Sequence, residues 1–347
     1  MRFIHTADLH IGAAPDAGRP WAQERADAIA GALARIVDLT ETERADLLLI
    51  SGDLFHRQPL QRELREVNYQ FSRLTNARVV LIAGNHDYIT DSSPYLDFRW
   101  EDNVSFLSSP TMSSVYFDDI ETEVHGFSYH RKEIREALYD DLRAPSDGRL
   151  HILLAHGGDA SHIPIRLPAL AASGYHYVAL GHIHQPRIFK NTRLAYCGSP
   201  EPLDRTDLGV RGCLIGEVTN TGFSLRWKTI SATQYRSLEL EVTPETTQGE
   251  LISRAEASIS EHPQDIWMIS LQGRRDPDMT YNTAAFTRLD RVLSAEDLTE
   301  PEYDLDALAE EHAGDLVAHY IQELNYEGAD TRTRKALYYG LKALLDS

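Results

Sequence analysis

Five short polar clusters, each directly after a run of apolar residues, constrain the fold of this chain more than any other sequence feature. Short apolar runs that end in polar residues are typical of buried strands whose carboxyl ends carry a site. The clusters therefore predict one site built from several strand ends. They are Asp8-Leu9-His10, Gly52-Asp53-Leu54-Phe55-His56, Gly84-Asn85-His86-Asp87, His156-Gly157-Gly158 and Gly181-His182-Ile183-His184.

The apolar spacing between the clusters predicts alternating strands and helices. Residues 2–5, 46–51 and 78–83 are predicted strands, and helical stripes begin at Ala22 and at Pro59 between them. The unit is thus strand, helix, strand, helix, strand, as in a layered α/β fold. Further strands are predicted at residues 105–107, 124–128, 151–155, 175–180, 212–218 and 223–230.

The rest of the chain predicts a smaller module and a helical end. A strand at 237–242, a helix at 248–261 and a strand at 266–271 form a small α+β module. One helical stripe then runs from Leu305 to Leu324, and a shorter one follows at Leu337, Tyr338, Leu341, Leu344 and Leu345. We therefore expect a catalytic domain at 1–231, a second domain at 232–300 and a helical segment at 301–347.

The charge balance argues against a protein that binds nucleic acid over its whole surface. The 347 residues include 34 basic and 53 acidic ones, a formal net charge of -19. The acidic residues are unevenly placed, since twelve lie between Val292 and Asp330 with no Lys or Arg, and none lies between His182 and Pro200. Local basic patches are therefore compatible with the acidic average.

The cysteine content and the length of the apolar runs limit which class of protein this chain can belong to. The two cysteines, Cys197 and Cys213, predict neither a disulfide framework nor a thiolate zinc site. The first ten residues contain an aspartate and are followed by no apolar segment, so no secretory signal is expected. The longest apolar runs, at 47–50 and 79–83, are too short to span a bilayer. We expect a cytoplasmic protein.

The polar clusters combine carboxylates, imidazoles and one carboxamide, a donor set that suits manganese, iron or zinc. In an extended segment, residues two apart point to the same side, so Asp8 with His10, and His182 with His184, can reach one point. A single histidine is more often structural, but five ordered clusters favour a metal site, and their seven ligands suit two ions better than one. Glycines before Asp53, Asn85 and His182 allow the loops to approach closely.

These motifs resemble those of the calcineurin-like metallophosphoesterases, namely D-x-H, G-D, G-N-H-D, a lone H and G-H-x-H. The segment from Gly52 to His56 is similar to the DNA repair nuclease branch, which includes the bacterial SbcD and YhaO subunits. Protein phosphatases differ in placing an Arg-Gly pair after their aspartate pair. The resemblance implies a β-sandwich flanked by helices, with a small α+β capping domain and C-terminal helices.

The resemblance also implies a role for each matching residue. One metal would be held by Asp8, His10 and His184, the other by Asn85, His156 and His182, with Asp53 bridging. Two such ions activate a water and neutralise phosphate oxygens during in-line attack. His86 would donate a hydrogen bond or a proton to the phosphate or the leaving oxygen, with its ring oriented by Asp87, and His56 would position the scissile phosphate.

The implied activity is manganese-dependent hydrolysis of DNA, by an exonuclease or endonuclease subunit that works with an SMC-like ATPase in repair. The capping domain would sit over the site, the short stripe from Leu337 to Leu345 is a candidate docking helix for the ATPase, and a homodimer is implied as well. DNA binding needs cationic side chains near the cleft. The candidates are Arg57, Arg131, Lys132, Arg187, Lys190 and Arg193.

Two other functions remain open at this point. One is a small-molecule phosphodiesterase or phosphatase of the same superfamily, which the acidic surface favours and the additional domain disfavours. The other is a non-catalytic scaffold, which the intact motifs disfavour. Histidines outside the motifs are expected to be structural, namely His5, His125, His130, His151, His162 and His176.

Overall fold

The structure is a computed structural model that describes residues 1–219, 222–325 and 328–345. It divides into two compact units, Met1–Tyr235 and Arg236–Ser347. The expected division into domains at 1–231, 232–300 and 301–347 stays a prediction. Within the described ranges, no helix combines the length and the apolar character that a bilayer crossing needs.

The first unit is built around short strands, and further strands occur in the second. Most of those in the first unit consist of buried residues, which is why their sequences read as continuous apolar runs. In chain order the strands are β1 (Arg2–Thr6), β2 (Leu47–Ser51), β3 (Arg78–Ile82), β4 (Val104–Phe106), β5 (Ser113–Phe117), β6 (Thr122–Gly126), β7 (Leu150–His156), β8 (Tyr177–Gly181), β9 (Arg187–Ile188), β10 (Leu194–Tyr196), β11 (Gly212–Val218), β12 (Phe223–Thr229), β13 (Tyr235–Val242), β14 (Ile266–Arg275), β15 (Val292–Asp297) and β16 (Glu300–Pro301).

The helices connect these strands and form the carboxyl-terminal segment. Two of them, one after β1 and one after β2, are the helices that the apolar stripes predict. In chain order they are α1 (Ala22–Thr42), α2 (Gln61–Ser72), α3 (Leu167–Ala171), α4 (Gln248–Glu261), α5 (Thr283–Phe286), α6 (Leu305–Glu311), α7 (Leu316–Leu324) and α8 (Thr331–Leu345).

Two six-stranded sheets form the first unit. One has the order β12-β11-β1-β2-β3-β4, with β1 to β4 parallel and β11 antiparallel to β1. The other has the order β5-β6-β7-β8-β10-β9, with β6, β7, β8 and β10 parallel. The predicted alternation of strand and helix from β1 to β3 is confirmed. Strands β5, β9 and β10 were not predicted from the sequence. In β5, partly buried residues alternate with exposed ones, and β9 and β10 are only two and three residues long.

The apolar core of this unit has three layers. One cluster lies between the first sheet and helices α1 and α2, and a second lies between the two sheets, where Phe3 and Leu49 face Ile152 and Leu154. A third covers the outer face of the second sheet. Each fully buried large aliphatic side chain contributes about 1.5–3 kcal/mol. The predicted α/β fold, a β-sandwich flanked by helices, is confirmed.

Helix α1 buries Ile29, Leu33, Ile36 and Val37 of the predicted apolar stripe, and it also buries a charged residue that the stripe does not include. Arg25 is fully buried, whereas Ala22, at the start of the stripe, is only partly covered. The Arg25 guanidinium donates to the backbone oxygen of Pro202, lies 3.5 Å from a carboxylate oxygen of Glu201 and stacks over the ring of Tyr235. A buried charge with such partners is tolerated, but the partners lie far away in the sequence.

The second unit contains a sheet of the order β13-β14-β15, with β16 pairing β14. The predicted helix at 248–261 is confirmed, and Thr247 and Glu250 close its first turn in a reciprocal capping box. Strand β14 runs four residues beyond the predicted end at Leu271, and β15, which pairs with it in parallel, was missed by the sequence analysis.

The prediction of a single helix from Leu305 to Leu324 is wrong. Helix α6 ends at Glu311, the backbone turns at Gly314 with a φ of +91°, and α7 begins at Leu316. Asp315 caps α7 by accepting from the backbone N–H of Val317 at 2.8 Å. A glycine with positive φ followed by a capping aspartate ends one helix and starts the next.

The stripe on α8 is largely used within its own unit, contrary to the expected docking surface. Leu337 and Leu341 are buried in a cluster with Val317 and Ile321 of α7. Leu345, in contrast, is exposed. The two buried leucines are therefore not available to a partner unless the helices separate.

Strand β1 leads into the first polar cluster, Asp8-Leu9-His10, and it packs closely against β11. A substitution on β11 can test this packing. Gly216 on β11 faces Phe3, and a Cβ at this position would overlap the Phe3 ring. We expect Gly216→Ala to lower the free energy of unfolding by about 1–3 kcal/mol, as overpacked cores do. Denaturant unfolding checks this. Gly31→Ala in α1 is the control, because its Cβ would meet only the flexible end of Arg35. Equal midpoints for the two variants would contradict the packing argument.

Candidate metal centre

The five polar clusters meet at the carboxyl ends of parallel strands. Strands β1, β2 and β3 lie side by side in the first sheet, β7 and β8 are neighbours in the second, and β2 packs against both. Loops that follow parallel strands emerge at the same edge of a sheet. The structure thus brings together all of the predicted ligands, namely Asp8, His10, Asp53, Asn85, His156, His182 and His184.

The backbone at four of these residues is left-handed, not extended as the sequence analysis assumed. The φ angles are 53° at Asp8, 48° at His10, 51° at Asp53 and 91° at His182. This conformation costs a residue with a Cβ roughly 1–2 kcal/mol. Hydrogen bonds from the Asp8 and His10 amides to the backbone oxygens of Gly52 and Asp53, at 3.0 and 3.1 Å, hold two of them in place. The side chains converge through strained turns and not through strand alternation.

Glycine permits the close approach of these loops at two positions in particular. A Cβ on Gly84 would overlap the Asp53 carboxylate, and a Cβ on Gly181 would overlap the backbone oxygen of Ser51. Neither neighbour is a flexible side-chain end that could move away. The expectation that glycines allow tight packing around the site is confirmed here.

The first group of candidate ligands is Asp8, His10 and His184. Their donor atoms all lie within 4.8 Å of one another. The Nε2 atoms of His10 and His184 are 3.2 Å apart, and Asp8 and His10 are fully buried. Both Asp8 oxygens also accept from the backbone N–H of His182, at 3.0 and 3.1 Å. One ion could contact all three side chains.

The second group is Asn85, His156 and His182. The Asn85 Oδ1 lies 2.9 Å from His156 Nε2 and 3.0 Å from His182 Nδ1. Asn85 and His156 are buried, whereas His182 is partly exposed. The amide oxygen therefore sits between two imidazole nitrogens, at distances suited to a shared ion.

Asp53 lies between the two groups. Its Oδ2 is 3.4 Å from His156 Nε2 in the second group and 3.7 Å from His10 Nε2 in the first. Its Oδ1 accepts from the backbone N–H of His86 at 2.9 Å. This is the placement that a bridging carboxylate requires.

Burial and mutual attraction shift the pKa values of these groups strongly. Burial alone would raise the pKa of Asp53, but the imidazoles of His156 and His10 hold it well below its usual range. Burial would lower the pKa of His156, but the Asp53 and Asp8 carboxylates raise it to about 9. Burial raises the pKa of Asp8 to about 6. The same two carboxylates would also attract a divalent cation placed next to the His156 ring.

The orientation of the imidazoles fits divalent metal ions. His156 Nδ1 lies 2.8 Å from the backbone oxygen of Ser51, His184 Nδ1 lies 3.2 Å from Asp207, and His182 Nε2 lies 2.7 Å from Asp159. An acceptor on the outer nitrogen fixes a proton there and directs the lone pair of the other nitrogen inward. Inward lone pairs beside two carboxylates are the environment that a pair of divalent ions would satisfy.

The sequence analysis missed the residues that orient these rings. Asp159 follows the His156-Gly157-Gly158 cluster directly, so its position gave a usable signal, and it also pairs with His162 at 2.9 Å. The structural role expected of His162 therefore needs revision, because its ring lies 4.6 Å from that of His182. Asp207 lies in a loop without a motif, and only the fold brings it to His184.

Buried Arg211 fixes the Asp207 loop. Its guanidinium donates to the backbone oxygen of His184 and lies 3.3 Å from Asp207 and 3.2 Å from the side-chain oxygen of Gln185. The Arg211 guanidinium thus holds the backbone of His184 and also the Asp207 carboxylate that contacts the His184 ring. No sequence motif marks Arg211.

The two predicted catalytic histidines lie beside the first group, nearer to solvent. The rings of His56 and His86 are stacked with centroids 5.1 Å apart, and the His86 centroid is 4.7 Å from that of His10. His86 Nδ1 lies 3.2 Å from the backbone oxygen of His56. His56 is exposed and His86 is partly exposed, so both can meet a substrate.

The expectation that Asp87 orients the ring of His86 is wrong. The Asp87 carboxylate is fully buried and accepts from the backbone amides of Gly84 and Phe55, at 2.8 and 3.2 Å, and from the Tyr95 hydroxyl at 2.8 Å. Burial raises its pKa to about 7. Asp87 ties the loop after β2 to the loop after β3, and its effect on His86 is limited to fixing that backbone.

The predicted DNA-contacting cations fall into two classes. Arg57 pairs with Glu63 at 2.7 Å and Arg131 pairs with Glu136 at 2.7 Å, which weakens both as phosphate ligands. Arg187 lies over the ring of Phe189. Within the ranges that the structure describes, Lys132, Lys190 and Arg193 are exposed and form no ion pair.

Comparisons with known proteins show what this chain is similar to. The profile of the calcineurin-like phosphoesterase family matches residues 1–186. The uncharacterized metallophosphoesterase YhaO of Bacillus subtilis is 26% identical over 75% of this chain and 68% of its own. The DNA double-strand break repair protein Mre11 of Aeropyrum pernix is 28% identical over 61% of this chain and 56% of its own. The SbcD component of the SbcCD nuclease of Staphylococcus epidermidis is 24% identical over 57% and 61%, respectively. The matches thus span between 56% and 68% of these three relatives.

The contact between Asp207 and His184 predicts a selective loss of metal affinity. Asp207→Ala removes the acceptor that fixes the imidazole, and changes of this kind weaken metal binding by about 10–100-fold. Manganese titration by calorimetry measures the effect. Asp207→Asn, which keeps an oxygen acceptor, should lose less.

Asp204→Asn is the matched control for this titration, because Asp204 lies exposed on the same loop and its carboxylate accepts from the backbone N–H and the hydroxyl of Thr206. It should bind manganese as the wild type does. The same affinity in the wild type and in Asp207→Ala would contradict a positioning role for Asp207.

Proposed function

We propose that this chain, which belongs to the calcineurin-like phosphoesterase family, is a two-metal, manganese-dependent phosphodiesterase that hydrolyses DNA. The observation that carries the proposal is the position of Asp53 between two groups of inward-facing donors, with His56 and His86 beside them. A phosphodiester bound at this place would meet both the metal ligands and two imidazoles.

The metal pair, when bound, lowers the pKa of a water molecule and neutralises the non-bridging phosphate oxygens during in-line attack. In the hydrolysis, a bond forms between the water oxygen and phosphorus while the ester bond to the leaving oxygen breaks. The leaving oxygen therefore needs a proton. His86 is partly exposed beside His10 and is suited to donate that proton or a hydrogen bond.

His56 completes this side of the site in our proposal. Its exposed ring stacks on that of His86, and its Nδ1 lies 3.4 Å from His10 Nδ1. Burial and the neighbouring His86 lower its pKa, which favours the neutral ring with one N–H to donate. We assign it the role of positioning the scissile phosphate. Asp87 supports both histidines only through the backbone that it ties together.

DNA is the proposed substrate because relatives of modest identity carry names of DNA repair proteins and nucleases. Exposed Lys190 and Arg193 lie in the segment after His184, which contains no acidic residue as far as Pro200. Phosphate neutralisation by such cations supplies most non-specific affinity for DNA. The net charge of -19 disfavours DNA binding over the whole surface. We therefore expect DNA to contact only the surface near Lys190 and Arg193.

We further propose an SMC-like ATPase as partner, cytoplasmic location, and a homodimer, all as implied by the family branch. The second unit, Arg236–Ser347, would supply a capping domain and the ATPase contact. Because Leu337 and Leu341 are buried in their own unit, a docking surface would use exposed residues such as Tyr339 and Leu345.

The activity can be tested on labelled linear DNA, single-stranded and double-stranded, with manganese, magnesium or a chelator. We expect cleavage with manganese and none with the chelator. His86→Ala should lower the rate about 10²–10⁴-fold, as the loss of a general acid does. It should leave manganese binding unchanged, because His86 is not among the seven ligands that we propose around Asp53.

His130→Ala is the matched control, since His130 is an exposed histidine bonded to the backbone oxygen of Ser108. It should cleave DNA as the wild type does. Full activity of His86→Ala would remove this residue from catalysis. Turnover of a chromogenic bis-phosphodiester together with no cleavage of DNA would favour the small-molecule phosphodiesterase instead.

A further inference from the structure

A second group of metal-ligating side chains lies on the sheet that carries His156, away from the metal centre. Glu123 and His125 belong to β6, and His151 belongs to β7. The two strands are parallel, and Glu123 stands directly opposite His151, so the three side chains share one face. His151 precedes His156 by five residues on the same strand, which separates the two places by about 17 Å.

The donor atoms of this group face one another. His125 Nε2 lies 3.0 Å from His151 Nδ1, and a Glu123 oxygen lies 3.8 Å from the same His151 nitrogen. All three donor atoms are within 4.8 Å of one another. Both histidines are buried, and Glu123 is partly exposed and leaves a path from solvent.

Neighbouring residues orient these donors from outside the group. Asp147 lies 2.8 Å from His151 Nε2 and accepts a hydrogen bond from its N–H, which leaves the lone pair on His151 Nδ1 directed at the other two residues. The Ser114 hydroxyl donates to one Glu123 oxygen at 2.6 Å, so that the second oxygen is directed inward. The Tyr175 ring packs edge-on against His125. These contacts hold the three side chains in position with their donor atoms close together.

The local charge balance leaves room for a cation. Glu123 and Asp147 carry two negative charges, and Arg149, at 3.5 and 3.7 Å from them, supplies one positive charge. The Arg149 guanidinium stacks over the ring of Tyr116, and its side chain is 43% exposed, which places it at the solvent side of the group.

We propose that Glu123, His125 and His151 bind one divalent cation, namely zinc, at a site separate from the metal centre. Two imidazole nitrogens and a carboxylate oxygen are donors that zinc accepts, with a water in the fourth position. Ligand atoms at about 2.0–2.1 Å from a tetrahedral ion lie about 3.3 Å apart. The observed 3.0 and 3.8 Å need changes of only about 0.5 Å or less to reach that value.

The bound ion would tie together two strands and the segment that precedes β7. Asp147 lies in that segment and touches the site through His151. A ligand that binds only the folded chain stabilises it, so zinc should raise the melting temperature. The ion would lie about 17 Å along β7 from His156, too far from the metal centre to take part in phosphodiester hydrolysis, so this proposal stands independently of the nuclease activity.

The test is the number of zinc ions retained per full-length chain after equilibration with zinc, measured by mass spectrometry of the metal. Glu123→Gln, His125→Gln and His151→Gln should each bind one ion fewer than the wild type. His319→Gln, an exposed histidine of the second unit, is the matched control and should retain the wild-type number. Glu123→Gln decides the outcome if a buried histidine variant fails to fold. Equal numbers in the wild type and in folded Glu123→Gln and His125→Gln would overturn the proposal.

Two further readouts separate this site from the metal centre. The zinc-dependent rise in melting temperature should shrink in His125→Gln and stay at the wild-type value in His319→Gln. Manganese-dependent phosphodiesterase activity should be the same in both variants, because neither residue lies in the metal centre. An equal rise in melting temperature in His125→Gln and the wild type would contradict the site.

Discussion

The placement of one carboxylate, that of Asp53, governs the arrangement of the rest of the site. Its side chain is almost fully buried between His10, in the loop after β1 of the first sheet, and His156, at the end of β7 in the second sheet. The same carboxylate accepts from the backbone of His86, so it also fixes the loop after β3. Three of the five polar loops therefore depend on a single buried anion. Such an anion needs compensating charge, which the imidazoles and metal ions would supply.

The site is held by backbone strain as well as by charge. Asp8, His10, Asp53 and His182 adopt left-handed conformations that side chains other than glycine rarely take. Two sheets packed through a continuous apolar layer hold these turns in place, so the cost is met by burial elsewhere in the unit. A rigid support of this kind preorganises ligands before an ion or a substrate arrives. The outer contacts of Asp159, Asp207 and Ser51 then fix each imidazole.

The sequence predicted the residues at strand ends well, because apolar runs and short motifs are local signals. The order of strands and helices through β3 and the convergence of the polar clusters were visible in this way. What the sequence could not show depends on contacts between distant segments. Arg25 is buried because Glu201 and Pro202 meet it, and Arg211 and Asp207 reach His184 only in the fold. Asp87 sits beside His86 in the sequence, yet Tyr95 and two backbone amides occupy its carboxylate.

The most direct test of the metal centre is anomalous diffraction from crystals grown with manganese, recorded above and below the manganese absorption edge. Our account predicts two neighbouring peaks, one on each side of the Asp53 carboxylate. The first should contact Asp8, His10 and His184, and the second should contact Asn85, His156 and His182. A single peak, or peaks that do not touch Asp53, would contradict the two-metal centre and, with it, the proposed mechanism of phosphodiester hydrolysis.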